Sequence, residues 1–443
     1  MPAVQEKLRE LIREHTVLAL LFFSQIAFGF YMFMKDAGIR YIPVMITLLV
    51  LSTIAYGFAH AIEGNKKIVV WMLILLNIGA IEQTLLGTQS VLKICIFMII
   101  SFAAGFLVAG IMYAQKWISW IYNDRFAILL MILTVLVFAV MCFRGSSDGG
   151  ARVNLVIGTT SIQPLEAVKI FYIFIMAILL CKEECREKIS IFKGRFHITR
   201  LSAAMLFTIL LIGGFCVLSE LGTMLLIALT GVGMIFSYGK NRKLVWGFLI
   251  AGVLTVAAAI LLAWIIVRSG HTLSGPLYKI WTRISIWLNP YSGEDGASHI
   301  LAIRRAFTMG GIWGPAAERY TTVKIFGQDT DAVFAKLIQT CGLAIAEVAI
   351  FAYAMILYEG YWASKKVKDS FYSGLAYAAA LVMALQGMVH IGCNCGLLPL
   401  TGLPLMFISK GGMNMIVSVV TAMMLIAISS GYMERSTEHE TYF

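Results

Sequence analysis

Residues 268–330 form a long polar stretch in an otherwise apolar chain, opening with RSGHTLSGPLYK (268–279) and closing with TVKIFGQDT (322–330). Charges of both signs lie along it, at Lys279, Arg283, Glu294, Asp295, Arg304, Arg305, Glu318, Arg319, Lys324 and Asp329. The chain becomes apolar again at Asp331-Ala332-Val333-Phe334. Because the flanking sequence is typical of membrane-spanning helices, we expect the polar stretch to stay in water. Asp331 is then at the boundary between water and lipid.

Composition indicates an integral membrane protein. Of the 443 residues, 60% are hydrophobic and 13% are charged, whereas soluble domains are about half apolar and about a quarter charged. The formal net charge is +11, but the basic residues gather in short loops between apolar runs, so no nucleic-acid partner is implied. The eight cysteines show neither a disulfide framework nor zinc-ligand spacing.

Twelve apolar runs approach the length of a spanning helix, which needs about 20 residues. They are residues 17–34, 42–61, 68–86, 92–113, 126–143, 165–181, 201–218, 221–238, 244–267, 331–358, 371–391 and 413–431. This pattern predicts an all-α polytopic protein with a single membrane domain over residues 1–443. The basic residues of the short loops fall on one side, which the positive-inside rule assigns to the cytoplasm. Both termini are therefore expected in the cytoplasm, and residues 268–330 outside.

Three ionisable sites on the outer side, with four residues between them, are candidates for chemistry. Glu166 and Lys169 are three residues apart on one helix face, and form either a structural ion pair or a functional one. Glu220 lies between two apolar runs and is either a helix-start charge or a functional carboxylate. Asp331 is either a charge that stabilises the start of its helix or a catalytic group.

Glycine and proline cluster before the last apolar run, at Gly396, Pro399, Gly402, Pro404, Gly411 and Gly412. These residues indicate turns or re-entrant backbone. Irregular backbone at membrane depth persists only where it is buried in protein or lines a wet cavity. We therefore expect this cluster to form the wall of a cavity.

Five ordered motifs carry a family resemblance. They are Gly150-Ala151-Arg152 with Ser161-Ile162-Gln163-Pro164-Leu165-Glu166-Ala167-Val168-Lys169; Glu220-Leu221-Gly222-Thr223; Arg283 with Asn289-Pro290; Thr330-Asp331-Ala332-Val333-Phe334-Ala335; and Gly396-Leu397-Leu398-Pro399-Leu400-Thr401-Gly402-Leu403-Pro404 running on to Ser409 and Gly411-Gly412. This set resembles the SEDS family, the shape, elongation, division and sporulation proteins of bacteria.

The resemblance implies a peptidoglycan glycosyltransferase that polymerises lipid II at the outer face of the bacterial plasma membrane, in division, elongation or sporulation. It implies a class B penicillin-binding protein, a transpeptidase, as partner, and a core over residues 144–443. It also implies that Asp331 is the catalytic carboxylate. The residues expected to support it or to bind substrate are Glu166, Lys169, Glu220, Arg152, Arg283, Arg304, Arg305, Lys324, Thr401 and Ser409.

Physical chemistry agrees with that assignment. Glycosyl transfer from a polyprenyl pyrophosphate needs a base for the acceptor hydroxyl, and positive charge or a divalent cation such as Mg²⁺ or Mn²⁺ on the leaving group. Asp331 fits the first role. Four basic residues are candidates for the second by charge and location, namely Arg283, Arg304, Arg305 and Lys324.

The chain departs from the family pattern at several places. Five apolar runs precede Gly150 where the family has three, so residues 1–143 include an extra pair of helices. Glu220 replaces an aspartate, Lys410 a tyrosine, and Gln339-Thr340 an acidic pair. Two other functions fit the same features: a flippase or transporter of a polyprenyl-linked sugar, and an inactive scaffold in a cell-wall synthase complex.

Overall fold

The structure is a computed structural model that describes residues 16, 19–20, 22–34, 38–114, 121, 123–148, 151–157, 160–181, 188–191, 196–271, 273, 275–292, 296–315 and 323–430. These residues form fifteen helices. In chain order the helices are α1 (Phe22–Met34), α2 (Gly38–Ala61), α3 (Lys66–Leu86), α4 (Val91–Tyr113), α5 (Asp124–Arg144), α6 (Leu165–Cys181), α7 (Arg200–Val217), α8 (Leu221–Tyr238), α9 (Arg242–Arg268), α10 (Gly275–Leu288), α11 (Ala297–Gly310), α12 (Val333–Cys341), α13 (Leu343–Lys366), α14 (Ser370–Asn394) and α15 (Gly412–Ile428).

Short strands occur in two of the connections. Between α5 and α6 an antiparallel sheet has the order β1 (Ser146–Asp148), β2 (Ala151–Ile157), β3 (Thr160–Ile162), and Leu155 pairs with Ile162. Between α6 and α7, β4 (Lys188–Ile191) and β5 (Phe196–Thr199) form an antiparallel pair. The sheets therefore belong to the connections between helices and leave the helical bundle uninterrupted.

The expected multi-pass helical architecture is confirmed. Among the described residues, nine helices are long and apolar enough to cross a membrane: α2, α3, α4, α5, α7, α8, α9, α13 and α14. The other three expected runs are also helical but shorter, at α1, α6 and α15. All twelve apolar runs thus contain helix.

One expected span is wrong in its bounds. Residues 331–358 do not form one helix, because the chain breaks at Gly342 between α12 and α13. Gly342 has a φ of 88°, and a Cβ there would lie 2.2 Å from the backbone nitrogen of Gly314. Only glycine fits this left-handed, crowded position. The spanning helix is therefore α13, and α12 is a separate helix whose nine residues are all buried.

The polar stretch contains two helices that the sequence analysis did not place, α10 and α11. Both are amphipathic, with apolar residues such as Ile286 and Ile303 buried on one face. They hold this stretch against the bundle: Nε1 of Trp287 donates to the carbonyl oxygen of Gly396 at 2.8 Å. The described parts of residues 268–330 thus contain helices that pack against the bundle.

The core is built around α3 and α14, which are buried along most of their lengths. Helix α14 packs against α6, α8, α13 and α15, and α15 packs against α4. Helix α9 is the opposite case, since only Val245 and Ala263 are buried on it. An apolar helix with so little protein cover presents its surface to lipid. The polar groups described next lie on α6, α10 and α14 or at the starts of α8 and α12.

Candidate active site

Asp331 lies in the turn before α12, and its backbone is held from two sides. Nδ2 of Asn394 donates to the carbonyl oxygen of Asp331 at 3.0 Å. Oγ of Ser409 donates to the carbonyl oxygen of the preceding residue, Thr330, at 2.8 Å. Ala332, and not Asp331, occupies the N-cap position of α12. Asp331 thus directly precedes the N-cap, and both of its expected roles, helix-start charge and catalytic group, stay predictions.

Residues 395–411 run through turns and bends, as the glycine and proline pattern predicts. Side chains from the surrounding helices satisfy their carbonyl groups. The carbonyl acceptors and their donors are Leu400 with Arg283, Leu403 with His390, Pro404 with Gln386, Leu405 with Asn414, Met406 with Tyr353, and Ile408 with Gln83. Residues 395–411 therefore have the irregular backbone that was expected, packed in protein, and are called the irregular wall below; that they line a cavity stays a prediction.

A polar stripe on α14 supports this wall. Gln386, His390 and Asn394 are four residues apart, so they lie on one helix face. His390 Nδ1 is 2.7 Å from the carbonyl oxygen of Leu403. The stripe was missed in the sequence analysis, although three polar residues at i, i+4 and i+8 in an apolar run would have been the signal.

Arg283 and Asp331 both lie beside Gly402. A Cβ built on Gly402, whose φ is 76°, would lie 3.5 Å from Oδ2 of Asp331 and 3.9 Å from Nη2 of Arg283. Nη1 of Arg283 donates to the carbonyl oxygen of Leu400 at 3.0 Å. Burial lowers the pKa of Arg283, while the carboxylates of Glu220 and Asp331 raise it; an arginine stays charged throughout. The carboxylate and the guanidinium thus border one small backbone position.

Lys279 adds a second cation that the sequence analysis did not select as a site residue. It lies four residues before Arg283 on α10, so the two share a face. Burial lowers the pKa of Lys279, the charge of Arg283 lowers it further, and Glu220 raises it. Two positive charges therefore lie close to the carboxylates.

Glu220 lies at the N-cap position of α8, outside the spanning helices, and Oγ1 of Thr223 donates to its Oε1 at 3.1 Å. Burial raises the pKa of Glu220 to about 7; the Thr223 hydrogen bond and the Lys169 charge lower it, whereas the Glu166 and Asp331 charges raise it. Glu220, Glu166, Lys169 and Asp331 are therefore close enough for their charges to interact.

Glu166 and Lys169 form the ion pair that their spacing predicts. Lys169 Nζ lies 2.9 Å from Oε1 and 2.8 Å from Oε2 of Glu166, and both residues are buried. A third contact, at 2.9 Å, runs from Lys169 Nζ to Oε1 of Gln386 on α14. Nε2 of Gln386 donates to the carbonyl oxygen of Pro404, so Gln386 links the ion pair to the irregular wall.

The raised pKa of Glu220 leads to a testable pH dependence. The folded protein binds a proton at Glu220 that the unfolded chain releases near pH 4.5. The contribution of Glu220 to stability should therefore be greatest below about pH 4.5 and fall as the pH rises to about 7. We expect the melting temperature of the parent protein to fall, relative to Glu220→Gln, between about pH 5 and pH 7.

Thermal unfolding in detergent at a series of pH values measures this difference. In an Asp331→Asn background the fall should occur at lower pH, because a charge that raises the pKa of Glu220 has been removed. A difference in melting temperature between parent and Glu220→Gln that stays constant with pH would contradict the raised pKa of Glu220.

The remaining candidate site residues differ in how close they lie to the irregular wall. Arg304 and Arg305 are exposed on α11, and Lys324 is exposed before the Asp331 turn, so their role toward a pyrophosphate stays a prediction. Oγ1 of Thr401 lies 3.5 Å from Sγ of Cys393 on the irregular wall. Arg152 is in β2, but its side chain lies outside the described part of the structure.

Lys410 was noted in the sequence only as a departure. Its Nζ pairs with Oδ2 of Asp329 at 2.9 Å, and its backbone nitrogen donates to the carbonyl oxygen of Asp329 at 2.7 Å. The substituted lysine therefore joins the irregular wall to the turn that carries Asp331.

Within the described ranges, no group of three or more His, Cys, Asp and Glu residues is arranged to hold a metal ion.

A bundle of apolar helices that encloses paired charges and an irregular wall defines a polytopic membrane protein with a buried polar site. Comparison with known proteins identifies the family. The FtsW/RodA/SpoVE family model, described as "cell cycle protein", matches residues 67–433. The chain belongs to this family, as the SEDS resemblance predicts. The match begins after α1 and α2; which two helices of residues 1–143 form the expected extra pair stays a prediction.

Individual relatives and solved structures agree. Peptidoglycan glycosyltransferase MrdB of Escherichia coli K12 is 26% identical over 301 residues, which are 67% of this chain and 75% of MrdB. Stage V sporulation protein E of Bacillus subtilis is 26% identical over 330 residues, 74% of this chain and 84% of the relative.

A solved chain from the study titled "Structural coordination of polymerization and crosslinking by a peptidoglycan synthase complex" aligns with a TM-score of 0.63 and 20% identity, covering 83% of this chain and 97% of that one. RodA of Thermus thermophilus aligns with a TM-score of 0.53 and 16% identity, covering 83% of this chain and 96% of RodA. These similarities establish the fold.

Proposed function

We propose that this chain is a peptidoglycan glycosyltransferase that polymerises lipid II at the outer face of the bacterial plasma membrane. Family membership and relatives named as peptidoglycan glycosyltransferases support the reaction. The observation that carries the proposal is that Asp331 and Arg283 both lie within 4 Å of a Cβ built on Gly402. A base and a fixed cation side by side are what transfer from a diphosphate donor requires.

In the proposed reaction the acceptor sugar hydroxyl gives its proton to the carboxylate of Asp331. The oxygen of the acceptor hydroxyl attacks the anomeric carbon of the donor. The bond between that carbon and the diphosphate oxygen breaks, and its electron pair leaves with the diphosphate. Arg283 and Lys279 stabilise the charge that develops there. The Glu166–Lys169 pair holds the wall of the site in place through Gln386.

A divalent cation is a further proposal. Mg²⁺ is commonly bound by one or two carboxylates together with substrate phosphates, and the carboxylates of Asp331 and Glu220 offer oxygen donors of that kind. A cation bound there would add positive charge to the leaving diphosphate.

The decisive experiment incubates the purified protein with labelled lipid II, alone and with a class B penicillin-binding protein, the partner that we propose. The same mixtures are run with EDTA and with Mg²⁺ restored. Glycan polymer supports the proposal, and its loss with EDTA supports the cation. Transfer of labelled lipid II across vesicle membranes without polymer would favour the flippase. Neither activity under any condition would favour an inactive scaffold.

We also propose that both termini are cytoplasmic and that the Asp331 site faces the exterior, from the basic residues of the short loops. Cysteine labelling tests this in a Cys395→Ser background, because Cys395 is itself exposed. Ser292→Cys, at an exposed position after α10, should react with an impermeant maleimide in intact cells. Ser436→Cys, which lies outside the described residues, should react only after permeabilisation. Labelling of Ser436→Cys in intact cells would reverse the orientation.

A further inference from the structure

A buried carboxyl group on α3 reaches the short helix that follows Asp331. Glu82 is fully buried, with 0% of its surface exposed. Its Oε2 lies 2.5 Å from Oγ1 of Thr340 on α12. Glu82 belongs to none of the motifs that define the site, and Thr340 is one of the two residues that replace an acidic pair. A carboxyl group from α3 thus contacts α12 at Thr340.

Hydrogen-bond counting at Thr340 favours one protonation state of this carboxyl, whose Oε2 also lies 3.8 Å from Sγ of Cys341. Oγ1 of Thr340 is close to Oε2 of Glu82 and also lies 2.9 Å from the carbonyl oxygen of Lys336. A threonine hydroxyl has a single hydrogen, so it cannot donate to both acceptors. Both contacts are hydrogen bonds if Glu82 carries a proton and donates to Thr340, which then donates to Lys336.

The surroundings agree with a neutral acid. Oε1 of Glu82 is buried and has no hydrogen-bond partner among the described residues. An uncompensated oxygen is far more costly on a buried carboxylate than on a neutral carboxylic acid. The nearby ammonium group of Lys336 donates to Oε1 of Gln339 at 2.7 Å, and the described residues show no ion pair between Lys336 and Glu82.

The neighbouring residue, Gln83, holds the other side of the Asp331 turn. Its Nε2 donates to the carbonyl oxygen of Ile408 at 2.9 Å. Ser409, which follows Ile408 in the chain, donates through Oγ to the carbonyl oxygen of Thr330. Consecutive residues of α3 thus brace both α12, which follows Asp331, and the irregular wall that binds the residue before it.

We propose that Glu82, as a neutral acid, and Gln83 are positioning residues that fix Asp331 against Arg283. The kinetic part of this proposal rests on the proposed function, because it takes Asp331 as the catalytic base. Displacement of a catalytic group by about 1 Å can cost about 100-fold in rate. Loss of the brace should therefore reduce kcat and leave substrate binding little changed.

The test compares Glu82→Leu with Glu82→Gln. The amide of Glu82→Gln is neutral and can still donate to Thr340, whereas Glu82→Leu removes the hydrogen bond and keeps an apolar side chain. We expect kcat for lipid II polymerisation to fall by about 10- to 100-fold in Glu82→Leu and by no more than about threefold in Glu82→Gln, with KM within about twofold in both. Glu347→Leu, at an exposed carboxyl on α13, is the matched control and should resemble the parent.

Either of two kinetic results would overturn the proposal: parental kcat in Glu82→Leu, or equal losses in both Glu82 variants. Hydrogen–deuterium exchange of residues 329–341 adds a readout that does not depend on polymerisation. Exchange should be faster in Glu82→Leu and in Gln83→Leu than in the parent, and parental in Glu82→Gln. If Asp331 proves not to be the base, faster exchange still supports the brace, and unchanged exchange refutes it.

Discussion

Asp331→Asn is expected to abolish glycan synthesis while leaving the protein folded. Asparagine keeps the size of the side chain and a hydrogen-bonding group but cannot accept the proton of the sugar hydroxyl. The backbone of residues 330–331 is held by Ser409 and Asn394 through carbonyl oxygens, which the substitution does not change. We therefore expect lipid II binding close to that of the parent and a loss of polymerisation of at least about 100-fold, typical of a missing acid–base group.

The measurement is the initial rate of polymer formation from labelled lipid II, with melting temperature as the test of folding. Asp369→Asn is the matched control. Asp369 is the N-cap of α14, and its Oδ1 accepts from the backbone nitrogens of Phe371 and Tyr372, a role that asparagine fills about as well. Near-parental polymerisation by folded Asp331→Asn would move the chemistry to Glu166 or Glu220.

Helix content was predictable because apolar length is a local property of the chain. Each of the twelve apolar runs contains helix. The break at Gly342 was not predictable, because it depends on the backbone of Gly314 approaching from a distant part of the chain. Helices α10 and α11 were missed because the stretch was judged by its polarity, whereas their apolar residues recur on one face only.

The site shows the same division between local and distant interactions. The Glu166–Lys169 pair follows from a spacing of three residues, and the structure contains it. Charge and location alone could not rank Arg283 above Arg304 or Arg305. What separates them is the carbonyl of Leu400, which binds Arg283 beside Asp331. Such a distinction requires the fold, because the irregular wall lies more than one hundred residues further along the chain.

Lys169→Met is expected to destabilise the protein more than neutralising both members of its pair. Lys169 Nζ contacts both carboxylate oxygens of Glu166 in a buried setting. Removal of one partner of a buried ion pair leaves an uncompensated charge, which costs about 3–5 kcal/mol, whereas replacing both partners with neutral groups is often close to neutral. The double variant Glu166→Gln/Lys169→Met should therefore recover most of the lost stability.

Thermal and denaturant unfolding of the parent, both single variants and the double variant give the coupling energy between the two residues. Lys93→Met is the matched control, because Lys93 is exposed in the first turn of α4 and should tolerate the change.

Polymerisation measured on the same proteins separates a catalytic role of the ion pair from a structural one. If the double variant is stable but inactive, the charges themselves act on the substrate or on Glu220. If it is stable and active, the pair only secures the packing of α6 against Gln386 and the wall. Parental stability in Lys169→Met would show that the ion pair contributes nothing measurable.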